Sequence, residues 1–409
     1  MYKRLLSFLV IGSLFTGFSY QIVYGGGEGC AFRQATALQA SVDVVKTRVY
    51  ITNRASNDIA VIDTRTDRVI ARIPVGTTPH QVAFSLDGKK GYATNTGDNT
   101  LTVFDPVNYH VLSTLALGEG PEHMEVSPDN RYLFVGNFDG GTVSVVDIAT
   151  DKEIVRLAGF LKPHNISFTP DGQKTFVANL GAHTISVIDN KEMKVVAQPS
   201  VGSPTLLAAL SSPSTLSPTG MPEIKGPVNV TLTPDGKYGY VAHGDTGEVA
   251  ILDTHTQKPI KYVKVGKEPW RAYATVDGTK MLIPNNGDET VSILNTATQE
   301  VIATLPGGKD MTGVNPAYGD RVAYVISRGE NKLIVLDLIN LKKIDEIPVG
   351  ESPETAVTTP DGKRLYVAVR GTNSVVVIDT ETHKVLTEIK EVGKEPWGAM
   401  MLGGYNYCH

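Results

Sequence analysis

The feature that most constrains this chain is a repeat. The segment Phe176-Val177-Ala178-Asn179, a short turn, and Thr184-Ile185-Ser186-Val187-Ile188-Asp189 returns in register along almost the whole sequence. With Asn179 as phase marker, the equivalent residues are Asn53, Asn95, Asn137, His243, Asn285, Ser327 and Val369. Successive markers lie 42 residues apart, except that 64 separate Asn179 from His243, so one interval holds 22 extra residues. Three residues before the marker runs a mostly aromatic column (Tyr50, Tyr92, Phe134, Phe176, Tyr240, Leu282, Tyr324, Tyr366). Ten after it runs an acidic one (Asp63, Asp105, Asp147, Asp189, Asp253, Asn295, Asp337, Asp379).

Within a copy, apolar and β-branched residues recur at period two, as in Ile59-Ala60-Val61-Ile62, which is the pattern of a strand. Asp-Gly pairs such as Asp87-Gly88, Asp171-Gly172 and Asp361-Gly362 separate the runs and favour hairpin turns. Four short antiparallel strands every 40 to 45 residues or so is the period of a propeller blade, and one blade cannot bury both its faces alone. The expectation is a single all-β domain, an eight-bladed β-propeller over residues 45–409. Nine segments compete to be the eight innermost strands, one near Thr36 to Asp43 and one at Pro396 to Leu402 being the extremes. Gly-Lys-Glu-Pro-Trp at 393–397 repeats 266–270, where an inner strand begins. The C-terminal strand is therefore expected to complete the first blade, with 26–44 a lead-in.

The block Pro163-His164-Asn165-Ile166-Ser167-Phe168-Thr169-Pro170-Asp171-Gly172, then Phe176-Val177-Ala178-Asn179 and Val187-Ile188-Asp189, resembles the YVTN-type β-propeller repeat family. The likeness covers roughly residues 45–403. It implies the propeller fold and leaves function open, because similar repeats occur in surface-layer proteins, lactonase-like enzymes and cofactor-binding propellers.

The ends carry a different message. Lys3 and Arg4 precede the apolar run Leu5 to Phe18, with small residues near Val23-Tyr24-Gly25, the layout of a signal peptide over 1–25 and of a periplasmic or secreted protein. No second apolar stretch long enough to span a membrane follows. The two cysteines, Cys30 and Cys408, sit at the ends of the mature chain; a closed ring brings its ends together, and a disulfide between them is expected. A net charge of −5, with both signs interspersed, gives no footprint for nucleic acid. The chain is expected to act as a monomer. The extra residues form a Pro/Ser-rich loop, 203–225, between blades four and five, either a cover for the channel mouth or a tolerated surface insertion.

Two columns should meet at one mouth of the central channel. The first opens each inner strand: His80, Glu122 with His123, His164, Val228, Trp270, Thr312, Glu354 and Trp397. The second follows the marker: Arg54, Thr96, Phe138, Leu180, Gly244, Asn286, Arg328 and Arg370. Imidazoles (His80, His123, His164, with His183 and His243 nearby) then face guanidiniums (Arg54, Arg328, Arg370). Neutral imidazole is a ligand for copper, iron or zinc, and arginine binds oxyanions. The mouth could hold copper, or the iron and acidic groups of a tetrapyrrole, as eight-bladed propellers of similar architecture do. Equally, polar residues recur at such positions simply because repeats duplicate. His110, His255 and His383 read as solvated turn residues, and the acidic column as turn-forming.

No Cys-x-x-Cys-His haem attachment, Gly-x-Ser-x-Gly elbow, phosphate loop or His-Glu-x-x-His is present, and no residue is assigned a catalytic role. The leading expectation is an exported binding or scaffold module whose mouth (Arg54, Trp270, Arg328, Glu354, Arg370, Trp397) engages a protein partner or a small anion. The alternative is a metal- or tetrapyrrole-binding, redox-associated protein using the histidines. A lactonase-like hydrolase ranks third.

Overall fold

The computed structural model describes residues 42–204, 208 and 226–406. The signal-peptide segment, both cysteines with their expected disulfide, and nearly all of the 203–225 loop lie outside the described residues.

Eight antiparallel sheets follow one another around a ring. A typical blade is the third, ordered from the channel outward as Pro121–Val126, Tyr132–Asn137, Thr142–Asp147 and Lys152–Ala158. Its middle strands are almost wholly buried, while the outermost alternates between exposed and half-buried residues. Blade one is closed as expected: Pro396–Met400 pairs antiparallel on the channel side of Arg48–Asn53, with Tyr50 opposite Met400 and Ile51 opposite Ala399. One element was not foreseen. After this strand the chain turns back, and Tyr405–Asn406 adds a fifth strand to the channel edge of Pro353–Thr358 in blade eight. On the N-terminal side, residues 42–45 form a helical turn.

The repeat columns have distinct mechanical jobs. Asn95, Asn137, Asn179 and Asn285 each donate from Nδ2 to hydroxyls five and seven residues on, as Asn137 does to Thr142 (2.9 Å) and Ser144 (2.8 Å), locking the hairpin between the second and third strands. The acidic column accepts backbone N–H groups of its own turn, Asp105 from Val107 at 2.7 Å and Asp379 from Thr382 at 2.8 Å. Where the inner hairpins turn, Gly88, Gly172, Gly236, Gly278 and Gly362 take positive φ, a conformation glycine adopts without steric cost. All eight residues of the aromatic column are fully buried. Several reach the next blade: Tyr50 Oη donates to the Pro106 carbonyl (2.7 Å), Tyr324 to Thr380 (3.2 Å) and Tyr366 to the Asp67 carboxylate (2.6 Å).

Packing explains the need for eight copies. Among the described residues, each apolar cluster joins two neighbouring blades; Val49, Ile51 and Ile62 of blade one, for instance, pack on Tyr366, Val375 and Val377 of blade eight. Among the described residues, blade one has no inner strand except the C-terminal one. A chain truncated before Pro396 is therefore expected to leave the ladder of Arg48–Asn53 open and to lose several kcal/mol, read as insolubility or a large fall in melting temperature. A chain truncated after Leu402 should stay folded. Equal melting temperatures for the parent and the shorter chain would show that closure contributes little.

Candidate functional site

The first residues of neighbouring inner strands stand close together at the mouth, and their side chains form a continuous file. Ring centroids of Trp397 and His80 lie 6.0 Å apart, His80 and His123 4.9 Å, and His123 and His164 4.1 Å, the last pair edge to face. The three imidazoles are at most 7 % exposed. His164 Nδ1 lies 3.0 Å from the Val228 carbonyl oxygen. A carbonyl only accepts, so Nδ1 carries the proton and Nε2 is the basic nitrogen.

His183 and His243 form a separate pair across the seam of blades four and five. Thr246 N–H donates to His243 Nδ1 (3.3 Å), so His243 donates through Nε2 to His183 Nδ1 at 2.9 Å. Burial, and secondly the neighbouring His183, pull His243 down to about 4, so it stays neutral at physiological pH. The five histidines thus do not converge. Among the described residues, no group of three or more His, Cys, Asp or Glu side chains could hold a bare metal ion.

On the opposite side of the mouth the guanidiniums are unequal. Arg328 is committed to Asp310 (Nε to Oδ2, 2.7 Å) and to Glu354 (Nη1 to Oε2, 2.8 Å). Arg370 Nε reaches the other oxygen of Glu354 at 3.1 Å, so this fully buried carboxylate bridges two cations. Arg54 instead stacks over the Trp397 ring, its guanidinium carbon 4.3 Å from the centroid, and makes no ion pair within 4.0 Å among the described residues. Burial pulls its pKa down, partly offset by Glu122, Glu395 and Glu354. Trp270 is half-buried three residues ahead of the short inner strand Tyr273–Ala274, its backbone N–H bonded to the Pro284 carbonyl. Of the three outlying histidines, His110 and His255 are exposed, whereas His383 is half-buried and bonded to Tyr324 Oη at 2.8 Å.

Behind the mouth the channel holds a cavity of ≈ 670 Å³. His123 lines it, with Gln81, Asn165 and Asn229, and so do Met124, Phe168, Leu232 and Met400; Met401 to Gly404 bring the C-terminal turn to its wall.

The family model described as "Lactonase, 7-bladed beta-propeller" matches residues 105–396. The chain belongs to that lactonase propeller family. The matched span of this family member runs from the outer turn of blade two to the start of the closing strand, and its ring has eight blades. A second model, "Cytochrome D1 heme domain", matches residues 46–157, which carry Arg54, His80 and His123. Neither is the YVTN-type repeat, a resemblance that therefore stays an expectation. No curated protein matches the chain. Among solved structures it is similar to the dihydro-heme d1 dehydrogenase NirN in complex with DHE (14 % identity, 88 % of this chain and 76 % of that one, TM-score 0.69). It is also similar to Kuenenia stuttgartiensis hydrazine synthase (24 %, 74 % and 95 %, 0.55) and to a protein of unknown function from Desulfotomaculum acetoxidans DSM 771 (13 %, 89 % and 99 %, 0.60). At these identities the likeness is one of fold.

Two carboxyls of this lactonase-family chain received no role from the sequence. Burial, with Asp139 adding to it, pushes Glu122 up to about 7 against the opposing pull of Arg54 and Lys162. Glu125, on the channel wall, is raised by burial to about 8, although its carboxylate accepts the Phe168 N–H. The usable signal was a glutamate at an inner-strand position that faces other strands rather than solvent. Because folded Glu125 holds its proton well above the ordinary value of 4.5, folding stability falls as pH rises from there to about 8 and is flat above. Glu125→Gln removes that slope. The variant is expected to exceed the parent by roughly 1–3 kcal/mol at pH 9 and to match it at pH 4 in urea titrations; no difference at pH 9 would place the carboxyl in effectively bulk water.

Proposed function

We propose that this protein is an exported propeller that binds a metal-bearing tetrapyrrole non-covalently at its channel mouth. The observation that carries the reading is the file of three buried imidazoles with no cage for a bare ion. A free copper or zinc ion needs three or four protein donors, which the described residues do not assemble. A metal-bearing tetrapyrrole brings its own nitrogen donors and would ask the protein for one or two more, which an imidazole could supply. His123, on the cavity wall between His80 and His164, is the donor that opens on free volume. Arg54, stacked on Trp397, is the cation left to take an acidic substituent. The donor set therefore fits the group, and once bound the group would supply redox chemistry. The match of residues 46–157 to a heme-domain model supports the same reading, as does the absence of a covalent haem-attachment motif for the mode of binding. Export rests on the N-terminal segment of the sequence.

The test is to titrate the purified protein with iron protoporphyrin and, separately, to record the visible spectrum of protein taken from its native export compartment. A stoichiometric Soret shift is expected. His123→Ala should abolish the axial signature, and Arg54→Ala should weaken binding about tenfold, near 1.4 kcal/mol. A colourless native protein that gives no Soret shift on titration returns the molecule to a partner-binding scaffold.

A hydrolytic reading is supported by the lactonase family match and by the Glu122 carboxyl, poised near neutrality at the mouth as a general base requires. On that reading the protein opens simple lactones and Glu122→Gln abolishes the activity; a parent protein inactive on a lactone panel removes it.

A further inference from the structure

We infer that the seam between blades seven and eight carries a seat for an external alkylammonium or alkylguanidinium head, where other seams are filled by a cation of the chain itself. None of its residues lines the mouth or the channel cavity, so the seat stands apart from the tetrapyrrole reading. Three observations carry it.

The first is a latch that recurs between blades. Three residues before the aromatic column minus one, at the start of each second strand, stands a basic residue in five blades, as at Lys90 and Arg364; in blade seven it is Val322. Lys90 Nζ crosses to blade three and donates to the Ile148 carbonyl (2.7 Å) and to both Asp151 oxygens (2.8 Å each). Arg364 Nη1 likewise crosses to blade one, reaching the Thr64 carbonyl (2.8 Å) and the Asp67 carboxylate (3.0 Å). By repeat phase the matching positions across the seam of blades seven and eight are Thr380 and His383, and what faces them is Val322.

The second is space. A cavity of ≈ 180 Å³ lies at that point, lined by Val322, Thr380 and His383 among others, and it is several times the roughly 30 Å³ that one water occupies. Ile339 and Ile344, both exposed, stand at its edge and offer apolar surface to the methylenes of an alkyl cation.

The third is the set of acceptors. Tyr324 Oη donates to the Thr380 carbonyl (3.2 Å) and lies 2.8 Å from His383 Nδ1. A hydroxyl has one proton and a carbonyl only accepts, so the neutral His383 ring donates through Nδ1 and keeps Nε2 as an acceptor. The carboxylates of Asp337 and Glu381 line the same cavity. Burial, and after it the charges of Asp379 and Asp345, raise the Tyr324 pKa, so negative potential reaches this seam from both blades. Among the described lining residues the one permanent cation is Arg321, which is exposed and makes no ion pair within 4.0 Å. An anion would meet two carboxylates here, whereas an ammonium or guanidinium head finds the partners that Lys90 and Arg364 find elsewhere in the ring. The head can come from a free amine or from a lysine or arginine of a partner protein.

The experiment is a ligand-observed NMR titration of the full chain with n-butylammonium and n-butylguanidinium, with n-butanol as the neutral control and Nα-acetyl-lysine methylamide as the mimic of a partner's side chain. A butyl cation is expected to bind at least tenfold more tightly than butanol. The lysine mimic binding as tightly as the butyl cation supports a protein partner, and binding it more weakly supports a free amine. Val322→Lys supplies the cation from within the chain; it is expected to melt above the parent and to lose the external cation. Val322→Met, of similar length but uncharged, should not reach the same melting temperature. Should both variants fail to fold, Glu381→Gln, at an exposed side chain that keeps an acceptor for Tyr318 Oη, must weaken cation binding severalfold, and Arg321→Gln must tighten it. Cations no tighter than butanol, Val322→Lys binding them like the parent, or Val322→Met melting as high as Val322→Lys overturns the inference. Haem titration of the same preparation reports separately on the mouth, so either reading can fail alone.

Discussion

Everything in this molecule depends on the seam between blades. A four-stranded blade has two apolar faces, and each is buried only by a neighbour, so the ring has no stable intermediate size and must close on itself. Side chain-to-backbone hydrogen bonds along the inner wall add direction to this packing. Thr52 Oγ1 reaches the His80 carbonyl (3.1 Å), Thr94 that of Glu122 (2.7 Å), Ser167 that of Val230 (2.7 Å) and Thr312 that of Glu354 (2.6 Å). At the last seam Thr355 bonds the carbonyl of Trp397 and accepts the Ala399 N–H (3.0 Å). Each bond is worth only about 1 kcal/mol. Together they set the spacing of the inner strands, which dispersion forces alone would leave adjustable.

That spacing makes the site. Inner strands held in register bring one side chain from each blade within ring-contact distance of the next, so Trp397, His80, His123 and His164 touch although they come from four blades. A wall built this way is stiff, and a stiff wall binds a rigid ligand without a large ordering cost. The Glu354 carboxylate works in the same sense on the other side. Buried between Arg328 and Arg370, it cancels much of their charge and fixes their heads. Arg54 alone of the three makes no ion pair within 4.0 Å among the described residues, although Glu122, Glu395 and Glu354 act on it from further off.

The fold was legible because each repeat column does one job eight times. Eight copies of the aromatic position, or seven aspartates and one asparagine at the turn, serve the fold, since the first are buried in the seams and the second bond their own turn backbone. The closing strand was legible for the same reason, through the duplicated Gly-Lys-Glu-Pro-Trp. The fifth strand of blade eight escaped notice because two residues, Tyr405 and Asn406, carry no periodicity. At the mouth, phase grouped residues that the structure brings to one end of the inner strands but could not say which would pair. Whether Arg328 is free depends on Asp310, a residue outside both columns. The channel lining was missed because Glu125 and Arg271 lie further along their inner strands, at positions the column reading did not examine.

Departures from the repeat therefore carry more functional information than the repeat itself, and blade five shows how. Its marker is His243 where four other blades hold the turn-locking asparagine, and five residues on stands Glu248 where those blades place Thr100, Thr142, Thr184 and Thr290. The local lock is gone. In its place His243 bonds across the seam to His183, and Glu248 accepts the N–H of Ser203, where the inserted segment begins. Both exchanged side chains thus serve the junction with the insertion. The two polar groups that replaced the lock also bring titration to this seam: a histidine held near 4 must stay neutral for Nδ1 to accept the Thr246 N–H while Nε2 donates to His183. Acid that protonates it removes the first of these bonds, because the protonated ring has no nitrogen left to accept. The seam beside the insertion is in this way acid-sensitive, by substitution of a residue that elsewhere in the ring does not titrate.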